Sequence, residues 1–350
     1  MGFSQCASDP CIYLLRDSKD GLFVLAVYVD DLILGGMNIE IISVVKKSLS
    51  ARFAVTDMGE LHHFLGVKIV QLEGQIWIGQ PSYSNDLLVR FRMEESKPTA
   101  TPMDVGCKLM KAENENEMCD KQLYQSAVGS LLYLSTRTRP DIAFAVGSVA
   151  RFNSQPSNEH WSAVKRIMRY LKGTIHLGLV YDDEGDDLVG YSDADWAGDC
   201  NDRKSTSGYS FLLSGAVVSW RSKKQTCVAL STAEAEYVAL SSATQEAIWM
   251  QRLVSNILGE VEIEQPTIIY EDNQSAMSMT KHQQFHGRAK HIDIRHHFVR
   301  DKVAEKVVEV RYCKTDDMIA DILTKPLCAP KFNKLRSMMG MSTELRKPSI

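Results

Sequence analysis

The residues of this 350-residue sequence best able to do chemistry are carboxylates set among apolar neighbours. Asp30 and Asp31 interrupt an apolar run that extends from Gly21 to Val27 and resumes at Leu32–Gly36. Two adjacent acids there are costly unless something positive sits on them. A buried β-hairpin with both acids at its tip, holding divalent metal, satisfies both facts. Asp-Asp as plain turn chemistry is the alternative. Four more places carry acids in suggestive settings. Asp193 and Asp195 share one face of a strand with Val189 and Tyr191, and spacing does not choose between them. Ser231 and Glu234 have capping-box spacing, which gives Glu234 a structural job. Glu236 lies about 200° around the helix from Glu234. It stands one turn before Leu240, on the stripe continued by Ala247, Val254 and Leu258, so it is expected to face inward and to need a partner. Asp272 sits between a strand and a helix, where Asn273 could cap instead. Asp321 aligns with Asp317 and Lys325, the pattern of an exposed, salt-bridged helix face.

The elements that must position these acids are partly legible. Residues 1–95 read as strands and two helices. Lys97–Pro102 is turn-rich, and Glu113–Glu117 reads as an acidic surface loop. Residues 121–180 read as helical. One apolar stripe is Leu123, Val128, Leu131, Leu132 and Leu134, and another is Trp161, Val164, Ile167, Met168 and Leu171. Lys165, Arg166, Arg169 and Lys172 fall opposite the second stripe, as a solvated face or as a surface that tracks phosphates. The acidic Asp182–Asp187 marks a boundary near residue 185. Beyond it come strands over 188–196, 207–213 and 217–221, the last two paired around Ser214-Gly215. A helix is expected over 232–258, a strand over 267–270 and a short helix from Gln274. Residues 291–305 read as helix, 307–312 as strand, and a last helix starts near Thr315.

Tyr28-Val29-Asp30-Asp31 resembles the active-site hairpin of reverse transcriptases, those of copia-type retrotransposons in particular. The likeness runs through Phe64–Ile69, similar to the following palm strand, then Tyr124–Leu134, Arg139–Ile142, His160-Trp161 and Tyr170–Thr174, and ends at Ala320–Leu327. The element order after residue 188 resembles the ribonuclease H fold. The resemblance implies an α+β and α/β multidomain chain. Its parts would be a truncated reverse transcriptase palm at 1–95, a helical connection at 96–185, a ribonuclease H-like mixed five-stranded sheet with flanking helices at 186–327, and a tail at 328–350. It selects Asp193 over Asp195, agrees with Glu236, and promotes Asp272 and Asp321. These four would bind two magnesium ions, or manganese, for hydrolysis. It makes Asp30 and Asp31 polymerase ligands of an incomplete site, because the family's further palm carboxylate and the fingers are not found in the sequence. No template-directed polymerisation is expected of this chain alone. The histidine that such nucleases place before the last acid is replaced by Tyr312-Cys313-Lys314-Thr315, which bears on turnover.

Composition narrows the remaining possibilities. Forty-four acidic against 40 basic residues give a net charge of −4, so nucleic acid would be met by local basic patches. The eight cysteines form no Cys-x-x-Cys pair, which supports neither a zinc ribbon nor a disulfide framework. His286, His291, His296 and His297 lack a ligand set closing a tetrahedron. They and Arg288, Lys290, Arg295, Arg300 and Lys302 would face water or phosphates. No apolar stretch reaches membrane-spanning length and no signal peptide is evident, so an intracellular place, cytoplasm or nucleus, is expected with no membrane partner. Two readings follow. One is a retroelement Pol fragment that cuts the RNA strand of RNA–DNA hybrids, alone or with the remainder of the polyprotein. The other is a non-catalytic remnant that binds nucleic acid or a partner chain.

Overall fold

The computed structural model describes residues 2–17, 21–112, 114, 117–182, 187–259, 265–281 and 290–343. Asp20, most of the acidic loop at 113–117, the acidic break at 183–186, His286 and Arg288 lie outside them, as do the side chains of Asp17, Lys290, His291 and His296. The chain forms two compact units. The smaller comprises residues 1–61 and 245–266, the larger 62–244 and 267–350.

In the smaller unit, β1 (Ser4–Gln5), β2 (Ile12–Asp17), β3 (Gly21–Tyr28) and β4 (Asp31–Gly36) form one antiparallel sheet in sequence order, followed by helix α1 (Ile39–Ser50). Asn38 caps α1, its side-chain oxygen accepting from the Glu40 N–H at 2.8 Å. Phe23 is the one buried residue of β3. It lies over Gly36, its cross-strand partner, where a Cβ would stand 2.1 Å from the ring. Asn256 ties the β1–β2 loop down, its Oδ1 accepting from the Ser8 N–H at 3.1 Å and the Ser8 hydroxyl at 2.8 Å.

The larger unit carries two sheets. One contains β5 (His63–Phe64), β6 (Val67–Leu72), β7 (Gln75–Gly79), β8 (Leu177–Asp182) and β14 (Met341–Thr343), antiparallel throughout. Between β7 and β8 run α2 (Pro81–Arg90), α3 (Lys121–Arg137), α4 (Ala143–Ala150) and α5 (Asn158–Gly173). Ser157 and His160 cap α5 reciprocally. The Ser157 N–H donates to His160 Nδ1 at 2.9 Å, and the His160 N–H donates to the Ser157 hydroxyl.

The other sheet has the order β11-β10-β9-β12-β13. It uses β9 (Val189–Ala194), β10 (Thr206–Leu213), β11 (Ala216–Lys224), β12 (Thr267–Glu271) and β13 (Val308–Tyr312). The first three strands are antiparallel, and β9, β12 and β13 are parallel. Helix α6 (Thr232–Leu258) connects β11 to β12, and α7 (Gln274–Lys281) and α8 (Lys290–Ala304) connect β12 to β13. A 3-10 turn (Ile319–Leu323) and α9 (Ala329–Met338) precede β14. Three antiparallel strands with two parallel ones added on the far side of the first is the ribonuclease H-like arrangement, and the expected fold class is observed.

The expected divisions at 95 and 185 do not match the compact units. Phe64–Ile69 lies in the sheet of the larger unit, and residues 177–180 are strand β8 instead of helix. The reason is a shared core. Tyr124, Leu131, Leu134, Ile167 and Leu171 of the middle helices pack in one cluster with Val217, Leu323, Phe332 and Leu335. The Trp220 indole N–H, on β11, donates to the Ser135 carbonyl on α3 at 2.8 Å. Residues 328–343 are therefore part of that core and not a tail. Leu123 and Leu132, expected on the apolar stripe of α3, are exposed, and Tyr124 and Ala127 are buried in their place.

Candidate metal centre

Strand β9 is the middle of its sheet, flanked by β10 and β12, and Asp193 near its end is buried, at 1 % exposure. Directly opposite is Gly208. A Cβ on Gly208 would meet Thr324 Cγ2 at 2.7 Å and Leu323 Cβ at 2.8 Å, so the missing side chain lets the 3-10 turn approach β10. Gly208→Ala is expected to cost about 1–3 kcal/mol by overpacking. A urea unfolding midpoint equal to the wild type's would show that the turn gives way freely.

Helix α6 supplies the second carboxylate. The Glu234 N–H donates to the Ser231 hydroxyl at 3.2 Å, and Glu234 Oε2 accepts from the Leu230 N–H at 3.0 Å, so Glu234 closes the helix start. Glu236 points inward, and its Oε2 accepts from the Ala194 N–H at 2.6 Å. The third comes from the end of β12. Asp272 Oδ2 accepts from the Thr315 hydroxyl at 2.8 Å, while Asn273 caps α7 by accepting from the Ala276 N–H at 3.0 Å. One oxygen each from Asp193, Glu236 and Asp272 lies within 4.8 Å of the others.

Asp321, also wholly buried, is not in that group. Its Oδ1 is 2.7 Å from Lys325 Nζ and its Oδ2 is 2.5 Å from Lys331 Nζ. The exposed, salt-bridged helix face expected for it is corrected: Lys325 is its partner, but the segment is a buried 3-10 turn. Lys325 Nζ also stands 3.5 Å from both oxygens of Asp193, and the Thr324 hydroxyl donates to Asp193 Oδ2. Asp195 lies past the end of β9 and accepts from the Thr206 N–H.

A fifth acid escaped the sequence reading. Glu271 has no exposed surface, its Oε1 accepts from the Asn273 N–H at 3.1 Å, and its Oε2 has no hydrogen-bond partner. The signal was present: Thr267, Ile269 and Glu271 alternate inward along β12. Burial and neighbouring acids raise all three sheet-side carboxyls. Asp193 is pushed to about 7 by burial, with Lys325 pulling it down and Asp321 and Asp272 pushing it up. Glu236 is held well above the ordinary glutamate value by burial, then by Glu271, Asp193 and Asp272. Glu271 is raised by burial, with Asp193 and Asp272 adding to it. An all-oxygen donor set of converging carboxylates, with a buried oxygen left unpartnered beside it, suits a hard divalent cation.

Asp30 and Asp31 occupy the tip of the β3–β4 hairpin, where Tyr28 pairs with Asp31 and Val29 has φ 53°. Both acids are exposed, as are Tyr28, Val29 and Leu32, which corrects the expectation of a buried hairpin. Among the described residues no third His, Cys, Asp or Glu joins them in a metal-sized group.

The basic face of α5 is not a free phosphate track. Arg166 pairs with Asp104 at 2.7 Å and donates to the Thr101 hydroxyl. Arg169 donates to the Lys97 carbonyl at 2.6 Å, and Lys172 donates to the Glu94 carbonyl. Lys165 lies over the Trp161 ring, 5.9 Å from its centre. Arg166, Arg169 and Lys172 thus fasten the irregular segment 94–104, whose backbone groups have no sheet to pair with.

Residues 1–105 match the family described as reverse transcriptase (RNA-dependent DNA polymerase). The chain is 42% identical over 343 residues to the retrovirus-related Pol polyprotein from transposon TNT 1-94 of Nicotiana tabacum, covering 95% of this chain and 26% of the relative. It is 38% identical to that from transposon RE1 of Arabidopsis thaliana, covering 98% of this chain and 23% of the relative. With the putative transposon Ty5-1 protein YCL074W of Saccharomyces cerevisiae it shares 32% identity, over 70% of this chain and 80% of that protein. The chain thus spans about a quarter of the length of the Pol polyproteins it matches.

Proposed function

The chain belongs to the copia-type retrotransposon Pol family, and on that premise we propose that its larger unit hydrolyses the RNA strand of RNA–DNA hybrids with divalent metal. The observation carrying this reading is the convergence of Asp193, Glu236 and Asp272, from a central strand, a helix and a strand end, within 4.8 Å. These three would hold the ion, magnesium or manganese, with Asp321 and Glu271 beside them. When bound, such an ion lowers the pKa of an attacking water and offsets charge on the departing oxygen.

The chain's own groups set the stage for that chemistry. The Ala194 N–H fixes one oxygen of Glu236, the Thr324 hydroxyl fixes Asp193, and Thr315 fixes Asp272. Three carboxylates held by neighbouring donors need little reorganisation to receive a cation. Selection of RNA over DNA would come from the 2′-hydroxyl and the width of the hybrid groove, not from base sequence.

The test is cleavage of a 5′-labelled RNA–DNA hybrid by the purified chain with magnesium, against a chelator control. Cleavage that the chelator removes is expected, and Asp30→Asn is expected to cut at the wild-type rate. A folded wild type that leaves the hybrid intact would sink the nuclease reading in favour of a binding-only remnant. Equal loss in Asp30→Asn would mean that the exposed hairpin and the buried cluster act as one site.

A further inference from the structure

Resting on the metal-centre reading above, we propose that Lys325 is a built-in counter-cation standing where a second metal ion would sit, so that the free chain takes up one divalent ion and not two. The carboxylates around Asp193 divide into two sets. Glu236 and Asp272 are in no ion pair among the described residues, and with Asp193 they form the metal-sized group. Asp321 has a lysine on each oxygen, Lys325 at 2.7 Å and Lys331 at 2.5 Å.

Lys325 is the hinge between the sets. Its ammonium stands 3.5 Å from both oxygens of Asp193 while it holds Asp321, so it bridges the two acids that a second ion would have to bridge. Two-metal sites place their ions about 3.5–4 Å apart. An ammonium 3.5 Å from both oxygens of Asp193 and 2.7 Å from Asp321 would repel a second divalent cation and occupy both acids as ligands. Lys331 reinforces the exclusion by taking the remaining oxygen of Asp321. Lys325 is therefore a positioning residue: it acts through Asp193 and Asp321.

Manganese titration of the full chain without nucleic acid, read by calorimetry and by the electron paramagnetic resonance signal of free manganese, tests this. The wild type is expected to bind one ion per chain. Lys325→Gln is expected to bind two, or to hold the second on the order of tenfold more tightly. Lys325→Arg, which keeps the charge, is expected to stay at one. Thermal unfolding of each variant checks its fold, and the wild-type stoichiometry needs no variant. Two ions on the wild type, or a folded Lys325→Gln with unchanged stoichiometry and affinity, would overturn the lysine assignment and leave the metal centre standing. A wild type that takes up no manganese would overturn both.

Discussion

Asp193→Asn is expected to lower hybrid cleavage by about three orders of magnitude or more, the kinetic equivalent of about 4 kcal/mol, while making the metal-free protein more stable at pH 8. The two effects have one cause. Asp193 is buried among acids, and its carboxyl is raised from the usual 3.8 to about 7. A raised carboxyl binds its proton more tightly folded than unfolded. Its contribution to stability is full below pH 4 and is lost as the pH climbs through about 7, so above that the ionised group opposes folding. Asparagine keeps the shape and an acceptor for Thr324 without the charge. The gain at pH 8 without metal should be about 1–3 kcal/mol and should vanish near pH 4. Denaturant unfolding at the two pH values, beside the cleavage assay, measures both halves. A variant that loses cleavage and is also less stable at pH 8 would mean that Asp193 serves packing and not cation binding.

Arg139→Met is expected to destabilise the larger unit by about 3–5 kcal/mol, the largest change in stability foreseen for any single side chain here. Arg139 and Asp141 are both buried and joined by two bonds, Nε to Oδ1 at 2.9 Å and Nη2 to Oδ2 at 2.8 Å. Arg139 also donates to the carbonyl and the hydroxyl of Thr174 at the end of α5. The Tyr170 hydroxyl donates to Asp141 at 2.6 Å and accepts from Arg336 of α9 at 2.9 Å. One ion pair in the turn between α3 and α4 thus ties α5 and α9 together. Burial pushes the Asp141 carboxyl up, while Arg139 first, then Tyr170 and Arg336, pull it down and hold it below its ordinary value. Without Arg139 the sign reverses, so the deficit in the variant should shrink as the pH falls and Asp141 takes up a proton. An equal deficit at pH 4 and pH 8 would assign the loss to packing.

How far the sequence led depends on which force placed each residue. Glu236 was separable from Glu234 because one helical repeat and one capping pattern fix both directions, and local geometry sufficed. The limits of α6 were legible for the same reason. Glu271 is masked by its neighbour: Asp272 carries the family motif, while the strand alternation that buries Glu271 reaches it only at the last residue of β12. Periodicity misplaces Asp321, because an α-helical repeat does not hold in the 3-10 turn packed against Gly208. The hairpin of Asp30 and Asp31 was placed, but its burial was not, since apolar composition does not say whether a neighbour covers a sheet. The basic face of α5 was legible as a pattern, but its partners Glu94, Lys97, Thr101 and Asp104 lie some seventy residues away in irregular chain.

Strand β14 pairs with β8, and β8 with β7, so one small sheet is stitched from the beginning, the middle and the end of the larger unit's sequence. Such distant pairings are slow to form, because chain entropy must be given up before any contact is gained. On a ribosome the early strands β5 to β7 and the middle helices would emerge with an unsealed edge and an apolar surface bare of Phe332 and Leu335. The unit would stay open to proteases and to self-association until residues 329–343 arrived. A frameshift or stop codon between Asp321 and Met341 would therefore silence the carboxylate cluster through misassembly, even though each of its acids had already been translated.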